Sequence, residues 1–280
     1  MKILRHHILS CLLTLVFFHS SAVAAPLFDT HLHYSKADAE KYSPADIIKL
    51  LDRNNIAYAA VTGMPSSHAV DLYSFAPGRI ILLLGIYKEH NDKSHWSDDE
   101  SIPSLIETEL KRGIWRGIGE IHIFSRNRNS PVFKRVIEIA TEHDLPLLIH
   151  ADPAVIDRVF SLSPKLKVIW AHAGKYPYPE LVSDYLEQYD SLSVDLSMRD
   201  ARIAPSGELD DDWYELIVNH PDRFLLGVDT YSSSRWDDFD SAVHTIRRWL
   251  SQLPEDVRVK LAYENAAAIY AVSSKADSIR

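Results

Sequence analysis

Three stretches decide the fold: Gly117-Ile118-Gly119-Glu120-Ile121-His122-Ile123, Leu145-Pro146-Leu147-Leu148-Ile149-His150 and Leu166-Lys167-Val168-Ile169-Trp170-Ala171-His172. Each is a short, nearly unbroken apolar run. The spans between them, 131–143 and 153–161, carry apolar residues at helical spacing behind a proline suited to a first helical turn. A strand that is apolar without alternation is covered on both faces, and strand–helix–strand repetition gives parallel neighbours.

The same unit recurs on either side. Apolar runs at 27–33, 56–62 and 79–86 come before, and 192–196 and 224–229 come after, making eight strands. Helices are expected at 44–51, where Ser43 caps and Pro44 takes the first position, and at 101–113, 179–188, 211–219 and 238–250. A last helix is expected over 254–271, with Asn265 in its middle. No Gly/Ser linker or low-complexity stretch divides the units. Eight βα units in about 256 residues is the size of a closed (β/α)8 TIM barrel in a single α/β domain; an open doubly wound sheet is the alternative.

The chain has 280 residues, 46% hydrophobic and 25% charged, which excludes disordered and collagen-like classes. Lys+Arg 30 against Asp+Glu 39 gives a net charge of -9, the wrong sign for a protein whose task is neutralising nucleic-acid phosphates. At the start, Lys2 and Arg5 precede the apolar run 8–18, and Ala22-Val23-Ala24 has small residues at the cleavage positions. Residues 1–24 therefore read as a signal peptide, with residues 25–280 as the exported domain, periplasmic or secreted. An apolar run of roughly eleven residues is too short to cross a hydrocarbon core of about 30 Å. The single cysteine, Cys11, leaves with the signal, so a metal site in the mature chain must be built from histidine and carboxylate.

Polar residues interrupt the apolar runs where a barrel places its chemistry, at the C-terminal ends of strands. His31 and His33 share a face of the first strand by alternation and form half of a Zn2+ site. Glu120 lies on the fourth strand, His150 ends the fifth, His172 the sixth and Asp229 the eighth. Burying such groups on separate strands costs several kcal/mol each unless something satisfies them, and a shared cation does so.

These residues resemble those of the metal-dependent amidohydrolase superfamily. The His-x-His pair, the histidines after strands five and six and the aspartate after strand eight all have counterparts. The segment Asn265-Ala266-Ala267-Ala268-Ile269-Tyr270 is similar to the ending of the amidohydrolase-related branch, which holds decarboxylases and lactone hydrolases. The resemblance implies a divalent metal, most often zinc, as one ion or two. With one ion, His31, His33, His150 and Asp229 are ligands and His172 is a catalytic group. Glu120 also resembles the bridging carboxylate of two-metal TatD-like hydrolases; the other reading makes it a salt-bridged or outer acid.

The resemblance implies a metal-activated water attacking a lactone, amide or ester of a small acidic molecule. Asp229 would shuttle the proton and His172 would stabilise the oxyanion. A non-oxidative decarboxylase is the alternative, with a TatD-like nuclease and a non-catalytic metal-binding barrel behind it. Arg126, Arg199 and His122 are the candidate substrate contacts; His122, two residues after Glu120 and on its face, could touch substrate or metal or be a solvated loop histidine, and Asp152 and Asp195 are the candidate acceptors that orient ligand imidazoles. No nucleic-acid partner and no membrane attachment after signal cleavage are expected, and a homodimer is left open.

Overall fold

The apolar runs form eight strands: β1 (Leu27–Ser35), β2 (Ile56–Met64), β3 (Ile80–Leu84), β4 (Trp115–Ile123), β5 (Leu147–Ala151), β6 (Val168–Trp170), β7 (Leu192–Asp195) and β8 (Phe224–Leu225). The computed structural model describes residues 25–272. The signal peptide read at 1–24, with Cys11, lies outside the described residues. All neighbouring strands are parallel and follow chain order, β1 through β8.

The ring is closed by hydrogen bonds between the segment after β8 and β1. The Thr30 amide donates to the Leu226 carbonyl at 2.8 Å, and the Asp229 amide donates to the His31 carbonyl at 2.8 Å. The buried Asp29 carboxylate accepts the amides of His31 at 3.0 Å and Val228 at 3.2 Å. Thr230 Oγ1 brackets His33, accepting from its amide and donating to its carbonyl, both at 2.8 Å. The eight-strand expectation therefore becomes a barrel, and the open sheet is set aside.

Helices fill the connections largely where periodicity put them: Pro44–Arg53, Ile102–Leu110, Pro131–Glu142, Pro153–Leu162, Pro179–Gln188, Asp211–Asn219 and Phe239–Leu250. Ser43 and Asp46 form a reciprocal capping box at the first of these. The helix Ser66–Phe75 was not legible, because Pro65-Ser66-Ser67 reads as a turn and no side chain caps it. The expected 254–271 helix is instead a helix at Glu255–Val259, a π-turn at Lys260–Glu264 and a helix at Asn265–Ile269. Asn265 is the reason for its position: buried, it donates from Nδ2 to the carbonyls of Pro221 and Phe224, both at 2.9 Å, and pins the chain end under β8.

Two apolar layers result. Helices pack on the outside of the strands through residues such as Ile47, Leu82, Ile137 and Val243. The lumen is filled at its lower end by Phe28, Tyr58, Leu83, Leu148 and Leu225, closed by Ala266 and Tyr270. With the floor apolar, polar side chains can gather only at the upper mouth.

Two irregularities aim them there. In β1 the pairing with β2 shifts between Asp29 and Leu32, so Phe28 faces the lumen while Leu27, Leu32 and Tyr34 all pack outward. In β4 it shifts between Ile118 and Ile121, and both isoleucines face outward although three residues apart. Gly119 makes the second shift sterically feasible: its φ is +140°, and a Cβ there would sit 2.4 Å from the Leu148 carbonyl oxygen. Gly119→Ala is expected to cost about 3 kcal/mol or more in denaturant unfolding. Gly78→Ala, with nothing within 4 Å of the added carbon, should stay within about 0.5 kcal/mol.

Candidate metal centre

Seven of the residues singled out in the sequence converge at the mouth: His31 and His33 from β1, Glu120 and His122 from β4, His150 from β5, and His172 and Asp229 from the turns after β6 and β8. Glu120 is the centre. Its Oε2 lies 3.7 Å from His31 Nε2, 3.5 Å from His33 Nε2 and 3.5 Å from His122 Nε2. Its Oε1 lies 3.1 Å from His150 Nδ1 and 3.3 Å from His172 Nε2. One carboxylate thus turns its two oxygens toward two imidazole sets.

The first set has the dimensions of a cation site. Besides the two contacts to Glu120 Oε2, His31 Nε2 and His33 Nε2 are 3.3 Å apart and stand 3.8 and 3.3 Å from Asp229 Oδ1. His31 Nε2, His33 Nε2 and Glu120 Oε2 thus form a triangle with sides of 3.3 to 3.7 Å, the separation expected of donors about 2.1 Å from one small divalent cation. Asp229 Oδ1 is buried and has no hydrogen-bond partner among the described residues. An orphaned carboxylate oxygen facing two imidazole nitrogens fits a cation between them. In the second set, His150 Nδ1 and His172 Nε2 meet the other oxygen, Glu120 Oε1.

The imidazoles are oriented from behind. His31 Nδ1 faces Asp195 Oδ2 at 2.8 Å, and His172 Nδ1 faces the Ser197 carbonyl at 3.0 Å, which leaves each Nε2 free for the mouth. Ser197 Oγ donates to Asp195 Oδ2 at 2.6 Å and lies 2.9 Å from His172 Nδ1. Sequence reading anticipated Asp195 in this part but missed Ser197, which lies two residues on, in the turn after β7. Asp152 does not orient His150; it accepts from Ser125 Oγ at 2.9 Å.

Electrostatics follow from burial against compensation. Burial raises the carboxyls of Glu120 and Asp229, but His31 and its neighbours outweigh it, holding Glu120 well below the usual range and Asp229 at about 2. Burial lowers His31 and His33, yet for His31 the carboxylates of Asp229, Asp195 and Glu120 outweigh it, and for His33 those of Asp229 and Glu120, so both stay above the ordinary value. His122 goes the other way, pulled down to about 3 by burial, and is neutral.

His172 and Asp229 have φ of 58° and 56°, a left-handed conformation that costs a non-glycine residue of order 1–3 kcal/mol. Arg199 holds the first turn, donating from Nε to the His172 carbonyl at 2.7 Å and from Nη2 to the Gly174 carbonyl at 2.8 Å. These bonds account for two nitrogens of a residue read from sequence as a substrate contact. Arg126 is exposed, its guanidinium 4.6 Å from the Phe124 ring centroid. Beside the cluster lies a pocket of about 270 Å³ lined by His122, Ile123, Phe124, His150, Asp152 and Lys175. Lys175 was missed in the sequence, since a lysine beyond a strand end carries no signal of its own.

A family model described as amidohydrolase matches residues 118–272, more than half of the chain. The chain belongs to the amidohydrolase family. Its segment from Ile118 to Val272 thus carries β4 with Glu120, the histidines after β5 and β6, the aspartate after β8 and the Asn265 pin, and it falls in the amidohydrolase-related branch. No curated protein matches the chain. Among solved structures, a 2,6-dihydroxybenzoate decarboxylase complexed with 2,6-dihydroxybenzoate is similar at TM-score 0.61 and 12% identity, over 89% of this chain and 99% of that one. A probable 2-pyrone-4,6-dicarboxylic acid hydrolase from Acinetobacter baumannii is similar at TM-score 0.60 and 14% identity, over 88% and 100%. A 4-oxalomesaconate hydratase from Rhodopseudomonas palustris follows at TM-score 0.57 and 14% identity, over 90% and 97%. At these identities the likeness is one of fold.

Asp195→Ala, which removes the acceptor of His31 Nδ1, is expected to weaken divalent-cation retention by roughly 10- to 100-fold against a competing chelator. Because His31 and His33 hold protons above their ordinary range, cation uptake must displace them. Proton release on titration, and weaker binding at about pH 6 than at about pH 8, are expected in a lightly buffered calorimetric titration.

Proposed function

We propose that this amidohydrolase is an exported hydrolase that opens a lactone, amide or ester bond in a small acidic molecule. The observation that carries the reading is Glu120 facing two imidazole sets with its two oxygens. It supports two divalent cations, zinc by the preference of imidazole and carboxylate donors in a tetrahedral set. His31, His33 and Asp229 would hold the first, His150 and His172 the second, and Glu120 both. Held there, cations would supply Lewis acidity and make water easier to deprotonate near neutral pH.

The chain's own groups would do the rest. Asp229 takes the proton of the attacking water at a carboxylate oxygen and returns it to the departing oxygen or nitrogen as the bond to the carbonyl carbon breaks. Asp229 enters the step ionised, because the imidazoles of His31 and His33 hold its carboxyl below the usual range. His172 Nε2, 3.7 Å from Asp229 Oδ2, would stabilise charge on the carbonyl oxygen if one cation alone is held at the first set. Arg126 and Lys175 at the mouth would receive an anionic group of the substrate, with His122 and Phe124 forming the wall. Residues 1–24 would direct export to the periplasm or beyond, with the mature chain starting at Ala25, acting on a small molecule and not on nucleic acid.

Non-oxidative decarboxylation is the second reading, suggested by the fold shared with the dihydroxybenzoate decarboxylase. Mass spectrometry of products from a panel of lactones, amides and aromatic acids separates the two: uptake of water supports hydrolysis, and loss of carbon dioxide supports the lyase. Asp229→Asn should lower kcat by roughly 10²- to 10⁴-fold, with a His31→Ala/His33→Ala double variant as the metal-depleted reference. Undiminished turnover in Asp229→Asn would remove Asp229 from the mechanism.

A further inference from the structure

The scheme above gives His122 only a place in the pocket wall, and its surroundings are unlike those of a substrate-facing loop histidine. It lies on β4 two residues after Glu120, so strand alternation puts both side chains on the same face. It pairs in register with His150 on β5, and the two rings stack with centroids 4.6 Å apart and 23° between their planes. Both rings turn a nitrogen to the same carboxylate, His122 Nε2 at 3.5 Å from Glu120 Oε2 and His150 Nδ1 at 3.1 Å from Oε1. One ligand atom from each of Glu120, His122 and His150 lies within 4.8 Å of the others.

The main chain of His122 is fixed at both ends, which holds the ring there. Its amide donates to Tyr87 Oη at 2.7 Å, and Trp96 Nε1 donates to its carbonyl at 2.7 Å. Its Nδ1 is buried and has no partner among the described residues, whereas His31 and His172 turn their far nitrogens to Asp195 and Ser197.

We infer that His122 is a ligand of the second cation, whose protein set is Glu120, His122 and His150: His122 Nε2 meets Glu120 Oε2, while His150 Nδ1 and His172 Nε2 both meet Oε1. The inference rests on the two-cation reading above and extends it.

The test is a calorimetric titration of metal-free protein with Zn2+, checked by elemental analysis, alongside the visible absorption of the Co2+-loaded form. Wild-type chain should take up two ions. His122→Asn, which keeps polarity but is a poor ligand, and His122→Ala should bind the first ion as wild type does, bind the second on the order of 100-fold more weakly, and lose absorption from the second Co2+ equivalent. If His122→Ala does not fold by circular dichroism, His122→Asn decides. Two ions at wild-type affinity with an unaltered Co2+ spectrum in the variants would overturn this assignment and leave the two-cation reading standing. A wild-type chain that takes up a single ion would overturn both.

Discussion

The buried carboxylate of Glu120 is the group on which the upper half of the barrel depends. A carboxylate 3% exposed to water pays a desolvation cost that only opposite charge or donated hydrogen bonds can offset. Five imidazoles face it, from β1, β4, β5 and the turn after β6. Each is itself a polar group placed against an apolar lumen, so the cluster is satisfied jointly or not at all. That mutual dependence explains why the strands are irregular at this level: the shifts in β1 and β4 move His31, His33 and Glu120 onto the inward face that regular pleating would have denied to part of the set.

The same economy is visible in the two turns that carry His172 and Asp229. Both residues sit in left-handed backbone that disfavours side chains, and in both an arginine grips the turn's carbonyls. Arg199 binds those of His172 and Gly174, and Arg235 binds that of Val228 at 2.8 Å. Guanidinium groups suit the task because several N–H donors lie in one rigid plane. The arginines therefore serve the geometry of the site from behind, while the cations at its open edge, Arg126 and Lys175, lie against the rings of Phe124 and Tyr176. On the proposed reading, an acidic protein keeps a locally basic rim, which draws an anionic small molecule without attracting nucleic acid.

The sequence by itself determined the repeating strand–helix unit, the parallel sheet and the set of strand-end histidines and carboxylates, because apolar periodicity and strand-terminal polar residues are local properties of the chain. It also placed the Asn265 segment, although not its role as a pin under β8. Tertiary structure alone decided the rest. That His150 joins His172 on one oxygen of Glu120, while His31 and His33 share the other with Asp229, depends on register between strands and on two pairing shifts that no single strand encodes. That Arg199 holds a turn, Ser197 orients two imidazoles and Asp152 orients none depends on contacts between residues that are neighbours only once the barrel closes. Closure itself rests on Asp29 and Thr30 meeting the segment after β8, and on Thr230 of that segment meeting His33, pairs nearly two hundred residues apart in the chain. Spacing along a sequence gives the face a side chain occupies, but the distance between two faces exists only in the folded ring.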